Sequence, residues 1–327
     1  MPFLYFLNIL IFIFSAVLLY FSGKWTIKGL IRIARFLNWR EFVVAFFIMA
    51  FAASLPNLFV GIFSALRNVS QLSFGDVVGG NVLDLTLAVA LAVLFAPKKH
   101  IAAKSRLVQK SALFTALIAI LPALLIIDGV LSRGDGVVLF IFFFIYVFWL
   151  FSKEDRFSKV YNESHLSPLK DLSAFLQDLG KLILGVVFLV LAGNGIVVSA
   201  KFFAQSFQVS PVFIGILIIG LGNALPETYF SIISARKGQS WMILGNLMGS
   251  VIATTCLVLG VVSLICPIKI TAADADLFFV ARFFLVLSAL FFFFFIRTDK
   301  DISKKEALFL LFLYFAFLFS EIFCQLR

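Results

Sequence analysis

Two carboxylates, Asp84 and Glu227, lie deep inside long apolar stretches, and no Lys or Arg sits at matching depth to neutralise them. Apolar stretches of this length are membrane-span candidates. A charge at the bilayer centre costs about 2.5–3.5 kcal/mol on insertion scales, so acids kept there pair with something or bind ions. Their surroundings are small residues and oxygen donors. "GDVVGGNVLDL" (75–85) carries Asp76, Gly80, Asn81 and Asp84, and "GNLMGSVIATT" (245–255) carries Ser250 and Thr254. Hard cations such as Ca2+ take roughly 6–8 oxygens from carboxylates, carbonyls and amides. Asn57, Asp84, Glu227 and Thr254 with free carbonyls have the chemistry of such a shell. The plainer alternatives are permanently protonated acids in a hydrogen-bonded core, and glycines that serve only close helix packing.

The free carbonyls have a source. "FAASLPNLFV" (51–60) and "LGNALPETYF" (221–230) each place a proline, Pro56 or Pro226, just before a polar residue. Proline inside a helix removes one backbone hydrogen bond and clashes with the preceding turn. Lipid offers the freed carbonyls no partner. Near Pro56 they belong to residues such as Phe51, Ala52 and Ala53, and near Pro226 to Leu221, Gly222 and Asn223. A bound cation would satisfy them; so would a packed kink. The occurrence of two such prolines in equivalent positions favours the cation.

The elements that must position these groups follow from composition. The chain has 327 residues, 62% hydrophobic and 13% charged, with mean hydropathy +1.11. Soluble domains are about 45–50% apolar. A spanning helix needs about 20 apolar residues. Ten such runs are expected, near 2–22, 42–66, 73–97, 107–128, 135–152, 178–204, 211–235, 241–266, 272–296 and 305–325. The first reads as a membrane helix and not a signal peptide. Residues 23–40 read as the loop that follows it. Lack of period-two alternation argues against a β-barrel. Of the 27 basic residues, 21 fall in the loops after spans 1, 3, 5, 7 and 9. The positive-inside rule then predicts a multi-pass protein of the cell (inner or plasma) membrane with both termini extracytoplasmic. Topology accounts for the net charge of +10, so no nucleic-acid partner is expected. Two histidines and three scattered cysteines offer no metal or redox motif.

A shift of 170 residues aligns the halves without a gap over more than 50 positions. Leu55-Pro56 falls on Leu225-Pro226, Ser64-Ala65 on Ser234-Ala235, Gly75 on Gly245 and Gly79 on Gly249. With five spans per half, the second half enters the membrane from the opposite side, as in inverted-repeat transporters. The expected fold is therefore an all-α integral membrane protein. Its ten transmembrane helices form two inverted five-helix repeats with helices 2 and 7 broken. The first repeat is 1–152, a cytoplasmic linker 153–177, and the second repeat 178–327.

At this point the residues resemble the sodium/calcium exchanger type of the calcium/cation antiporter superfamily. "AASLPN" (52–57) with "GDVVGGN" (75–81), and "GNALPE" (222–227) with "GNLMGSV" (245–251), are similar to that family's doubled motifs. The resemblance implies exchange of Ca2+ against Na+, or H+ or K+, by alternating access, with small inorganic cations and the lipid bilayer as partners and no cofactor. It implies cation ligands at Asn57, Asp84, Glu227 and Thr254, with Ser54, Asn223 and Ser250 beside them. Asp84 and Glu227 are the carboxylates that would hold the ion. Ala50, Ala53 and Gly220 would offer carbonyls, and Asp76, Asn81 and Gly80 would belong to the pathway or a secondary position. The family's first-repeat glutamate is Asn57 here, which leaves ion identity and stoichiometry open. A proton- or monovalent-coupled exchanger that does not carry Ca2+, or a non-transporting ion sensor, are the alternatives. A membrane enzyme would need a nucleophile–base pair or metal cluster that the sequence does not display. It carries no indication of oligomeric state.

Overall fold

The computed structural model describes residues 2–36, 54–151, 168–298 and 300–326. Ten helical runs occur in them. They are α1 (Pro2–Phe36), α2 (Leu55–Leu66), α3 (Ser70–Phe95), α4 (Arg106–Leu125), α5 (Arg133–Phe151) and α6 (Pro168–Phe207). Then follow α7 (Pro211–Arg236), α8 (Ser240–Ile265), α9 (Ala275–Arg297) and α10 (Lys304–Leu326). Among the described residues, nine helices are long and apolar enough to cross a membrane, and α2 is a shorter apolar helix.

Two expectations need correcting. The apolar span Phe3–Gly23 lies where expected, but the segment after it is no loop: α1 runs on to Phe36, 35 residues in all. Lys24, Lys28, Arg32 and Arg35, read as loop residues, lie on the helix. At 1.5 Å per residue α1 is about 52 Å long, well beyond the roughly 30 Å hydrocarbon core. α6 begins at Pro168 and has 40 residues, so its first ten lie in the stretch 153–177. The other correction concerns span 7. It is not severed at Pro226, which lies inside the helix. The irregularity is a π-turn at Gly215–Gly220, with Ile214 and Leu221 on either side in right-handed helical conformation. In α2, by contrast, Pro56 sits at the helix start, where its missing N–H costs nothing. The earlier half of span 2, with Ala50 and Ala53, lies outside the described residues.

Two further π-turns, Asp84–Ala88 and Thr254–Val258, interrupt α3 and α8. They lie 170 residues apart. So do Asn68 and Gly238, which adopt positive φ of 55° and 71° in the turns after α2 and α7.

α3 and α8 form the centre: most of each is buried, whereas most of the Phe3–Gly23 segment is not. α1 and α6 pack on each other along much of their length and antiparallel. Trp25 lies tilted against Phe188 at one end and Tyr5 edge-on to Phe202 at the other, with ring centroids 6.1 and 5.3 Å apart. Two short antiparallel ribbons join distant parts of the chain. β1 (His100–Ala102) pairs with β4 (Asp301–Ser303), and β2 (Val130–Leu131) with β3 (Ile268–Lys269).

Candidate cation site

The site begins as helical spacing. Asp76, Gly80 and Asp84 recur every four residues on α3, Gly220, Asn223 and Glu227 at three and four on α7, and Ser250 and Thr254 at four on α8. Each set lines one helix face. The faces meet because glycines let the backbones touch. A Cβ at Gly220 would lie 2.8 Å from the Asp76 carbonyl oxygen and 3.0 Å from the Gly80 nitrogen. One at Gly79 would lie 2.8 Å from the Ile216 Cα.

This approach brings Asn223 onto Asp76: its Nδ2 donates to Asp76 Oδ1 at 3.0 Å. One turn further, Glu227 lies within electrostatic reach of Asp84 and, more weakly, of Asp76. Ser250 on α8 lies close enough to the Asp84 carboxylate to act on it electrostatically. All three acids are buried, Asp76 completely. Asp76 Oδ2, Asp84 Oδ1 and Glu227 Oε2 have no hydrogen-bond partner. A buried acceptor left unpaired costs about 1–3 kcal/mol, more when charged. No Lys or Arg is among the buried described residues. A bound cation or a proton would satisfy such oxygens. No group of three or more His, Cys, Asp or Glu side chains converges as a metal cluster among the described residues, so neutral oxygens must complete any shell.

The other side of α3 is satisfied internally. Asn81 Nδ2 donates to Thr255 Oγ1 at 2.7 Å, and Asn81 Oδ1 accepts from Thr254 Oγ1 at 2.8 Å. Thr254 Oγ1 also contacts the Ser250 carbonyl at 2.9 Å. Asn81 is thus a bridge between α3 and the π-turn of α8. Asn81→Ala removes both bonds and leaves two buried hydroxyls. It should cost about 1–3 kcal/mol, read as a lower unfolding midpoint of the purified protein.

Ser54 and Asn57 are buried at the start of α2, and Pro56 packs against Gly23 of α1. A cavity of about 440 Å3 joins Pro56 to Asn223 and Glu227. Its wall also includes Asn246, which the sequence reading did not single out. The signal was there: the 170-residue shift places Asn246 on Asp76. Asp76 itself, expected along the pathway or in a secondary position, belongs with Glu227 and Asn223.

A helical membrane protein with a buried, cation-suited oxygen cluster is the class that this fold and site define. The sequence pattern described as "Sodium/calcium exchanger protein" matches residues 7–152 and 178–323, and the chain belongs to that family. It is 30% identical over 242 residues to an uncharacterised membrane protein of Methanocaldococcus jannaschii, covering 74% of this chain and 76% of that one. It is 25% identical over 343 residues to the sodium/calcium exchanger MaX1 of Methanosarcina acetivorans, covering 95% and 97%. Among solved structures, the sodium-calcium exchanger NCX_Mj soaked with 2.5 mM Na+ and 10 mM Sr2+ aligns with TM-score 0.64 and 27% identity. That alignment covers 95% of this chain and 98% of the other.

Proposed function

We propose that the chain is a secondary active antiporter that exchanges Ca2+ against Na+, or against H+ or K+, by alternating access. The observation that carries this reading is the set of three buried, unpartnered carboxylate oxygens on Asp76, Asp84 and Glu227 with no buried basic residue beside them among the described residues. Two or three negative charges in a dry site call for a counter-charge, and an exchanger supplies it alternately as a divalent ion and as monovalent ones. The sodium/calcium exchangers similar to this chain favour that pair of ions.

The ions bind at the midplane between two inverted five-helix repeats, 1–152 and 178–327, joined by a linker at 153–177. The matched π-turns at Asp84 and Thr254 support the repeat, as do the matched turns at Asn68 and Gly238. The ribbons support it too, since the same shift carries β1 close to β3 and β2 close to β4. Asn57, Ser54, Asn223, Ser250 and the Gly220 carbonyl complete the shell around the acids, and Thr254 backs it through its hydrogen bond to Asn81. The protein lies in the cell membrane with both termini extracytoplasmic.

The test is a panel of paired gradients on protein reconstituted in liposomes. Ca2+ uptake should require an opposed Na+, K+ or H+ gradient. Counterflow between monovalent cations with no Ca2+ movement would replace this reading by a monovalent exchanger. Cation binding without counterflow would make the chain a sensor.

A further inference from the structure

Under the 170-residue shift, acid and amide trade places twice. Asn57 in the first half matches Glu227 in the second, and Asp76 in the first matches Asn246 in the second. The first half therefore lacks an acid at one position and has one at another, 19 residues on. The structure shows where the displaced acid points. Asp76 is 0% exposed, one of its oxygens accepts from Asn223, and the other has no partner. Glu227 has a buried unpartnered oxygen of its own and lies within electrostatic reach of Asp76. Across α3, the Asn81–Thr254–Thr255 bridge contributes no carboxylate and engages both atoms of the Asn81 amide.

We infer that Asp76 is itself a cation ligand, forming with Glu227 and Asn223 a subsite for a monovalent cation next to Asp84, behind the cavity wall that Asn223 and Glu227 supply. It substitutes for the carboxylate that position 57 lacks. This rests on the antiporter reading above for its role in transport, but not for its binding chemistry. Two carboxylates, on Asp84 and Glu227, suffice to neutralise one divalent ion. The third acts when the site carries singly charged ions, each of which needs its own share of negative charge. Asn223 holds Asp76 in place through the hydrogen bond at 3.0 Å.

The test uses the full chain in detergent, with NaCl and CaCl2 titrated separately and the unfolding midpoint as readout. Asp76→Asn keeps the side-chain shape and removes the charge. It is expected to raise the NaCl concentration for half-maximal stabilisation at least tenfold and to flatten the cooperativity of the Na+ curve. The Ca2+ curve should move less than threefold. The double variant Asn57→Glu/Asp76→Asn returns a carboxylate to the first half and should bring the Na+ curve back within threefold of the parent. A merely structural Asp76 would instead lower the midpoint at zero cation and leave the half-saturating NaCl unchanged, which would overturn the assignment. So would a parent protein indifferent to NaCl. Should Asp76→Asn not fold, Asp76→Glu decides: it keeps the charge and must keep a Na+ response. The liposome panel separates the two proposals. Counterflow in the parent with an unaltered Na+ curve in Asp76→Asn sinks this inference alone. A Na+ response that needs Asp76, in a parent without counterflow, sinks the antiporter reading alone.

Discussion

Glu227→Gln is expected to abolish cation-coupled flux and to weaken Ca2+ binding by roughly two to three and a half orders of magnitude. Glu227 is the acid within electrostatic reach of both others, and one of its oxygens is buried without a partner. Glutamine fills the same volume, so the change is one of charge. Removing one member of a buried charge pair costs about 3–5 kcal/mol, and each 1.4 kcal/mol is roughly tenfold in affinity. The measurement is 45Ca2+ binding to purified protein beside uptake into liposomes. Asp84→Asn should follow the same direction. Flux at the parental rate in Glu227→Gln would remove the cluster from the transport path.

The second large effect concerns packing. Gly215 lies in the π-turn of α7, pressed onto α3. A Cβ there would meet the Asp76 nitrogen at 2.8 Å and the Gly75 Cα at 3.0 Å, with the Leu72 carbonyl nearer still. All three obstacles are backbone, so no rotamer change relieves them. Overpacking typically costs about 1–3 kcal/mol. Gly215→Ala should fall at the upper end of that range, and Gly215→Val should yield no monodisperse protein. Because the displaced element carries Asp76, Gly215→Ala should also weaken cation-induced stabilisation. Gly180 on α6 provides the contrast: nothing lies within 4 Å of a Cβ there. In a helix interior, alanine is favoured over glycine by about 0.5–1 kcal/mol, so Gly180→Ala should raise the unfolding midpoint slightly. Equal effects at both glycines would contradict the packing account.

The contrast between these two sites also shows what sequence can convey. The spans were legible because an apolar run long enough to cross a bilayer is too greasy for almost any surroundings but lipid. Asp84 and Glu227 were legible because an acid in such a run is costly. The continuation of α1 past residue 22 was not, since Lys24, Lys28, Arg32 and Arg35 mark a change of solvent and say nothing of whether the helix stops. The π-turns at Asp84–Ala88, Gly215–Gly220 and Thr254–Val258 were hidden for a different reason. No residue type specifies one, and Pro226 drew attention to a point downstream of the real irregularity. Asp76 was visible as an acid but not as a member of the cluster. Its partner, Asn223, is 147 residues away, and the close backbone contacts at Gly79, Gly215 and Gly220 bring them together.

The ribbons carry a consequence for how the chain is made. β1 ends at Ala102, and its partner strand begins at Asp301. Ribosomes add about 5–20 residues per second, so the edge of β1 waits roughly 10–40 s for its partner. α3 waits as well, because α7, α8 and α9 pack against it. The acids of α3 therefore enter the bilayer before any group of the second half can shield them. The β1–β4 ribbon can close only once Asp301 has emerged, with α10 alone still to follow. The membrane-insertion machinery, and not the mature protein, is where the cost of burying Asp76 and Asp84 is first met.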